Sequence, residues 1–175
     1  MRKLKQKIFI SGKLLIVIFS LISLYFTFCN KTNKYNHKYR PQFHYSPQKN
    51  WMNDPNGLVY FDGEYHLFYQ YNPYGNKWGH MSWGHAVSKD LIHWQELPVA
   101  IPEENGIMAF SGSAVVDNDN SSGFGKNGKI PIVAIYTGYR KSDKRQFQCL
   151  AYSLDHGRSW KKYKLFFRYQ YCNKP

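Results

Sequence analysis

The sequence predicts an all-β fold assembled from propeller-like blades, and three observations carry that prediction. From Pro41 onward the chain alternates short runs of β-branched and aromatic residues with turn signals. No segment shows a sustained helical period. A weak repeat relates segment 86–94 to segment 151–160, with matching serines and aspartates 65 residues apart. Repeats of this length made of short strands are typical of propeller blades.

Five strands are predicted from runs of β-branched and aromatic residues between turn residues. They cover residues 57–61, 65–69, 82–88, 113–116 and 130–136. Asp62-Gly63 is a hairpin signal between the first two strands. A loop rich in Gly, Asn and Ser at 117–129 joins the last two.

The amino terminus, residues 1–29, is predicted to be an export signal. Basic residues precede an apolar run at 14–28, which is shorter than the ~20 residues of a membrane span. Cys29 follows, where a bacterial lipoprotein carries its lipidated cysteine. The alternatives are an ordinary signal peptide or an uncleaved anchor, with Cys29 incidental. The protein is therefore expected to be secreted or to be a cell-surface or periplasmic lipoprotein, with residues 30–40 as a polar tether.

The net charge of +13 sits at the two ends of the chain. Residues 1–40 hold nine Lys and Arg, residues 156–175 hold six, and neither segment contains Asp or Glu. The middle, residues 41–155, holds nine basic and eleven acidic residues. A nucleic-acid interface needs basic residues gathered on the folded body. The distribution therefore predicts no nucleic-acid partner.

The segment Trp51-Met52-Asn53-Asp54-Pro55-Asn56-Gly57 combines residue types that suit a sugar-cleaving site. Glycoside hydrolysis uses two carboxyl groups, one of which attacks or stabilises the anomeric carbon. Asp54 is the candidate for that group, the two asparagines offer amide donors and acceptors, and Trp51 offers a flat apolar face. The alternative is an Asp-Pro-Asn-Gly turn in which Asp54 caps its own backbone. In either case Gly57 leads the chain into a strand.

Five blocks of sequence occur in order at residues 41–45, 51–57, 68–73, 78–86 and 110–115. In this order they resemble family 32 of the glycoside hydrolases, and within it most closely the bacterial levanases and exo-inulinases (fructan β-fructosidases), with invertases next. The resemblance implies a five-bladed β-propeller and a retaining hydrolase that releases terminal fructose from levan, inulin or sucrose. It implies no cofactor and no metal.

The resemblance also implies roles for individual residues. Asp54 is expected to be the nucleophile that forms a covalent fructosyl intermediate. The expected contacts to the terminal fructose come from a larger set, namely Trp51, Asn53, Asp54, Pro55, Asn56, Gln70, Trp78, Phe110 and Ser111. Trp51, Trp78 and Phe110 are expected to form its apolar walls.

Nearby aromatic residues are predicted to be structural. Trp83 and Trp94 are expected in the blade cores. Tyr69 and Tyr71 alternate with Gln70 along a strand and are expected to point away from it.

The histidines and the only adjacent acidic pair are also predicted to lie outside the chemistry. His80, His85 and His93 are expected to be turn or packing residues and not metal ligands. Glu103 and Glu104 are expected in a solvated loop, and neither is expected to be the catalytic acid.

The sequence departs from the family pattern downstream. The family places an Asp in an Arg-Asp-Pro motif and a general acid/base Glu in a Glu-Cys motif, and neither motif occurs in these 175 residues. Residues 41–163 are expected to be the N-terminal part of the propeller, about two blades, and residues 164–175 an aberrant tail. We therefore expect a truncated and inactive chain. The alternatives are a non-catalytic fructan-binding remnant and an unfolded membrane-anchored fragment.

Overall fold

The computed structural model describes residues 38–41 and 43–167, and within these residues the protein consists of eight β-strands and no α-helix. The strands are β1 (Met52–Phe61), β2 (Glu64–Tyr71), β3 (Ser82–Ser88), β4 (Trp94–Ile101), β5 (Ile107–Val116), β6 (Ile132–Arg140), β7 (Gln146–Ser153) and β8 (Lys161–Phe167). The all-β prediction is confirmed.

Consecutive strands pair to form two four-stranded antiparallel sheets. The first sheet has the order β1-β2-β3-β4 and the second the order β5-β6-β7-β8. Within each sheet, every strand pairs with the next one along the chain, which is the arrangement of a propeller blade.

Strand direction places several loops at one end of both sheets, which we call the upper end. Met52 pairs with Tyr71, so the start of β1 and the end of β2 lie together. Ile107 pairs with Arg140 in the same way in the second sheet. Loops 72–81, 102–106 and 141–145 therefore lie at the upper end, together with the starts of β1 and β5.

The main core lies between the two sheets. Phe68 and Trp83 of the first sheet are fully buried and belong to one cluster with Ala114, Ala134 and Ala151 of the second. Small alanines let the second sheet approach the large rings closely, and full burial of each ring stabilises the fold by about 1.5–3 kcal/mol. Trp83 is thus a core residue, as predicted.

A second cluster lies on the opposite face of the first sheet. Tyr69 and Tyr71 are buried there, and Trp94 and Tyr45 pack against them. Gln70 instead donates a hydrogen bond to the carbonyl of Ala109 in the second sheet. The predicted alternation along β2 and the predicted packing role of Trp94 are therefore confirmed.

The repeat in the sequence corresponds to the same turn in both sheets. The matching residues are Ser88 and Ser153, Asp90 and Asp155, and Trp94 and Trp160. Each serine hydroxyl donates to the carboxylate of its aspartate. The two tryptophans each donate their indole N–H to a carbonyl of the turn, at 3.0 Å in both cases. The 65-residue repeat therefore marks equivalent positions in two blades.

The strand boundaries differ from the predicted ones. β1 begins at Met52, so Asp54 lies within an irregular strand and not in a turn that precedes it. β5 and β6 are longer than predicted. β8 continues to Phe167 and so extends past the boundary predicted at residue 163. Pairing with the neighbouring strand carries β5 and β6 beyond the segments predicted from side-chain pattern alone.

The predicted export signal and tether lie almost entirely outside the described residues. This holds for the apolar run at 14–28 and for Cys29. In the part of the chain that the structure describes, no helix is long and apolar enough to cross a membrane.

Candidate active site

Asp54 presents an exposed carboxylate near the upper end of β1. The hydroxyl of Ser111, on β5, donates a hydrogen bond of 2.8 Å to its Oδ2. This bond, the Asn53 side chain and the backbone N–H of Asp54 lower the pKa of the carboxyl, against a small opposing effect of burial. Asp54 is therefore ionised at neutral pH, as a carboxylate nucleophile must be.

Irregular pairing of β1 brings Asp54 to the second sheet. The β1–β2 register shifts between Met52 and Pro55, and again between Asn56 and Val59. Gly57 has a φ of +49° and packs so closely that a Cβ there would lie 2.8 Å from the Cβ of Ala114. Glycine is required both by this backbone conformation and by the close approach of β1 to β5.

Trp51 is tied to both Asn53 and the loop that follows β2. Its indole N–H donates to Asn53 Oδ1 at 2.8 Å. Its backbone N–H donates to the carbonyl of Gly75, and its carbonyl accepts from the backbone N–H of Asn72. These bonds hold the partly exposed ring of Trp51 beside the Asp54 strand.

Phe110 is the centre of an aromatic group next to Ser111. Its ring meets Trp78 edge-on with 6.0 Å between centroids. It also stacks in parallel on Tyr139, with centroids 4.9 Å apart. Trp78 is 54% exposed, so a broad apolar face stays open to a ligand. Tyr139 was missed by sequence reasoning because its stacking on Phe110 depends on the pairing of β5 with β6.

Asn56 and Gln70 lie beneath the open surface. Gln70 is 2% exposed, and its Nε2 donates to the carbonyl of Ala109 at 3.0 Å. The Asn56 Oδ1 accepts from the backbone N–H of Gly112, while its buried Nδ2 has no partner within the described residues. The structure thus brings Trp51, Asn53, Asp54 and Ser111 together in one group and places these two amides below the surface.

Glu103 differs from its predicted environment. Its side chain is 11% exposed and accepts hydrogen bonds from Lys141 and from His80 Nδ1, the latter at 2.7 Å. Burial acts to raise the pKa of Glu103, but the bonds from Lys141 and His80 outweigh it and lower the pKa. The prediction of a solvated loop is wrong for Glu103, because Lys141 reaches it from the second sheet. Glu104 is more exposed, as predicted, and pairs with Lys162.

Five of the described histidines pair with acidic side chains or with each other, namely His66, His80, His85, His93 and His156. His93 pairs with Asp90 in the turn after β3, while His85 is buried against His66 and Phe68. No group of three or more His, Cys, Asp or Glu side chains in residues 38–41 and 43–167 has a metal-binding arrangement.

Comparison with known proteins agrees with this geometry. The family model for the N-terminal domain of glycosyl hydrolases family 32 matches residues 44–168. The chain belongs to this family. The N-terminal domain of family 32 is a β-propeller, and the two sheets of this chain are two of its blades.

Proteins similar to this chain include a levanase and an exo-inulinase. The levanase of Bacillus subtilis is 61% identical over 130 residues, which cover 74% of this chain and 19% of the levanase. The extracellular exo-inulinase of Aspergillus awamori is 49% identical over 162 residues, covering 83% of this chain and 29% of that protein.

The solved structures agree with these similarities. The crystal structure of the Aspergillus awamori exo-inulinase superposes with a TM-score of 0.70 at 53% identity, covering 74% of this chain and 28% of the inulinase. This family 32 chain therefore spans less than a third of the length of these relatives.

Proposed function

We propose that this chain supplies the nucleophile side of a retaining fructosidase site, which acts on terminal fructose of β-fructans such as levan or inulin, or on sucrose. The observation that carries the proposal is the Asp54 carboxylate, which Ser111 and Asn53 keep ionised. In this role an Asp54 oxygen bonds to the anomeric carbon of fructose as the leaving oxygen departs with the bonding electrons.

The proposed substrate contacts divide into walls and base. Trp51, Trp78 and Phe110 would contact the C–H faces of the sugar ring, since all three rings lie near the upper end. Gln70 and Asn56 would act below the sugar, where their amides already bond the second sheet. The names of the similar levanase and exo-inulinase support a fructan substrate.

We propose further that a polypeptide of these 175 residues does not hydrolyse fructans by itself. A general acid that protonates the leaving oxygen typically contributes about 10²–10⁴-fold in rate. Residues 156–175 contain no Asp or Glu. Glu103 has a lowered pKa and is held by Lys141 and His80, so it is a poor proton donor.

A substrate that needs no general acid tests the nucleophile directly. In β-fructofuranosyl fluoride the leaving group departs as fluoride, so attack by Asp54 yields a fructosyl ester and fluoride ion. Without a base to activate water, the ester should persist. We expect intact-mass spectrometry to show one added fructosyl unit, and peptide mapping to place it on Asp54.

Matched variants make this result specific. Asp54→Asn should abolish labelling, whereas Asp119→Asn, in the exposed loop after β5, should leave it unchanged. Cooperative unfolding of each protein should be verified by circular dichroism. A folded wild-type chain that takes up no fructosyl unit would contradict the proposed nucleophile.

Non-catalytic fructan binding is a second candidate function. The open face of Trp78 beside Phe110 favours it, because exposed aromatic rings bind sugar C–H faces without any chemistry. Calorimetric binding of short fructans by a chain that fructosyl fluoride does not label would support this candidate over the first.

We also propose that the protein is exported. The basic and apolar pattern of residues 1–28 and the extracellular exo-inulinase among the relatives support this. Attachment through lipid on Cys29 is the finer form of the proposal. Mass spectrometry of the protein from its native host should find a lipid on the amino-terminal peptide, and Cys29→Ser should remove this lipid. Export of the protein in soluble form would contradict lipid attachment.

A further inference from the structure

His80 is an exposed imidazole whose orientation is determined by a partly buried acid. Its side chain is 51% exposed, and its Nδ1 lies 2.7 Å from Glu103 Oε2. Because Glu103 is ionised, its oxygen accepts, and Nδ1 carries the proton. In the neutral ring Nε2 then keeps a free lone pair that can accept a hydrogen bond from a hydroxyl group.

The backbone around His80 is also constrained. His80 has a φ of +51°, which is uncommon for a residue with a side chain. The buried hydroxyl of Ser82 donates to the carbonyl of His80 at 3.1 Å and accepts from the backbone N–H of Glu103 at 2.8 Å. One serine thus fixes the relative position of the imidazole and its carboxylate. Strained residues held by their surroundings are concentrated at functional sites.

Two exposed aromatic residues accompany His80 in loop 72–81. Tyr74 is 75% exposed, and its ring lies edge-on to His80 with 5.2 Å between centroids. Trp78 lies two residues before His80 in the same loop. The loop is held by Asn72, whose side chain accepts from the N–H of Tyr74 and donates to the carbonyl of Lys77. These rings are exposed because the loop is fixed by polar bonds and not by apolar cover.

The pair of His93 and Asp90 provides a contrast within the same chain. Asp90 also accepts from the backbone N–H groups of Ile92 and His93, so this pair completes its own turn. Glu103 instead joins loop 72–81 of the first sheet to Lys141 of the second. The ion pair of Lys141 with Glu103 would join the two sheets without His80. Holding the sheets together therefore does not explain why an exposed imidazole is oriented at the upper end.

We propose that His80, with Tyr74, binds the second sugar unit of a β-fructan, the unit attached to the fructose that Asp54 attacks. Nε2 of His80 accepts a hydroxyl hydrogen bond, and the Tyr74 ring contacts a C–H face. The loop that carries both residues also carries Trp78 and bonds to Trp51 through Gly75, so it is anchored to the start of the Asp54 strand. The inference rests on the proposed function and extends it to the leaving sugar.

Nuclear magnetic resonance of the full chain can separate the two sites. Fructose and a fructose disaccharide are titrated separately, and the indole N–H of Trp51 and the ring of His80 are followed. We expect both sugars to shift the Trp51 signal, and only the disaccharide to shift the Nε2 of His80. His80→Gln and Tyr74→Ala should each raise the disaccharide Kd about 2- to 10-fold, as expected for one hydrogen bond or ring contact, and leave the fructose Kd unchanged.

His93→Gln is the matched control and should change neither Kd. Tyr74→Ala removes a largely exposed ring, so this variant should fold normally. It therefore tests the inference even if His80→Gln is unstable. If His80→Gln and Tyr74→Ala bind the disaccharide as tightly as the wild-type chain, and the disaccharide does not shift the His80 signal, this inference is overturned. The Asp54 proposal would still stand. Failure of both sugars to shift Trp51 would overturn the proposed sugar site itself, and this inference with it.

Discussion

At the scale of single residues, the chemistry depends on what surrounds one carboxylate. Asp54 is exposed, so desolvation contributes little, and its lowered pKa comes chiefly from the Ser111 hydroxyl and then from Asn53. Both donors favour the charged form. The Asp54 charge is thus maintained by hydrogen bonds to an open carboxylate that a sugar can still approach.

Replacing Ser111 with Ala should raise the Asp54 pKa towards its ordinary value. The group then protonates at a higher pH, so labelling by fructosyl fluoride should be lost earlier as the pH falls. The Asp54 pKa can be followed by carbon-detected magnetic resonance on selectively labelled protein. Ser113→Ala, at an exposed position two residues further along β5, is the control, and an equal shift in both variants would contradict the assigned role.

The identity of the site residues could be predicted from the sequence more readily than the contacts between them. Trp51, Asn53 and Asp54 lie within four consecutive residues, so a local motif indicates them together. Ser111 was expected at the site, but its bond to Asp54 and the stacking of Tyr139 on Phe110 arise from strand pairing and sheet packing, which no local pattern encodes. Glu103 was placed wrongly for the same reason, since its partners His80 and Lys141 are 23 and 38 residues away in the chain.

At the scale of strands and turns, hairpins and blade repeats could be predicted but strand ends could not. Asp62-Gly63 forms the turn between β1 and β2, because Gly adopts positive φ freely and Asp tolerates it better than most residues. β1 starts earlier than predicted because Met52 and Pro55 pair with β2 on either side of Asp54, although Asp54 and Pro55 are poor strand formers. Tertiary pairing overrides local preference here.

Replacing Gly57 with Ala should disturb the packing of β1 on β5. The new Cβ would lie 2.8 Å from that of Ala114 and would force a φ of +49° on alanine. We expect a loss of about 2–4 kcal/mol in the free energy of unfolding, from overpacking and backbone strain together. Urea denaturation at constant pH measures it.

Gly63→Ala provides the matched comparison for that strain. Gly63 also has a positive φ, but a Cβ added at this glycine would have no atom within 4 Å. It should therefore lose only about 1 kcal/mol. If Gly57→Ala were no more destabilising than Gly63→Ala, the close approach of β1 to β5 would not contribute to stability.

At the scale of the whole molecule, the two blades meet over a buried pair of histidines. His66 Nδ1 and His85 Nε2 are 3.1 Å apart, and the Nε2 of His66 has no partner in the described residues. Burial lowers the pKa of both, that of His85 to about 3. Glu64 and Arg158 face the pair, along with His156, which is paired with Asp62.

This pair should make the fold sensitive to acid. Because the folded-state pKa values lie below those of the unfolded chain, the unfolded state binds more protons once the pH falls below about 6.5. Stability is therefore fully present above that pH and declines as the pH falls towards 3. We expect the free energy of unfolding, measured by urea titration, to fall between pH 7 and pH 5.

Variants can assign the acid sensitivity to the pair. His85→Phe should flatten the dependence on pH, because it removes one titrating ring and keeps an aromatic ring in contact with Phe68. His93→Gln, at an exposed position, should keep the wild-type slope. A slope that His85→Phe leaves intact would place the acid sensitivity in other groups.

The bond between Asp54 and Ser111 joins two blades through a titratable atom. Because the donor belongs to β5 and the acceptor to β1, the acidity of Asp54 reports whether the blades have docked. A chain whose sheets form but stay apart would show an ordinary carboxyl, and docking would appear as a drop in its pKa. The protonation of Asp54, followed at its carboxyl carbon, therefore reports directly whether the two blades are assembled.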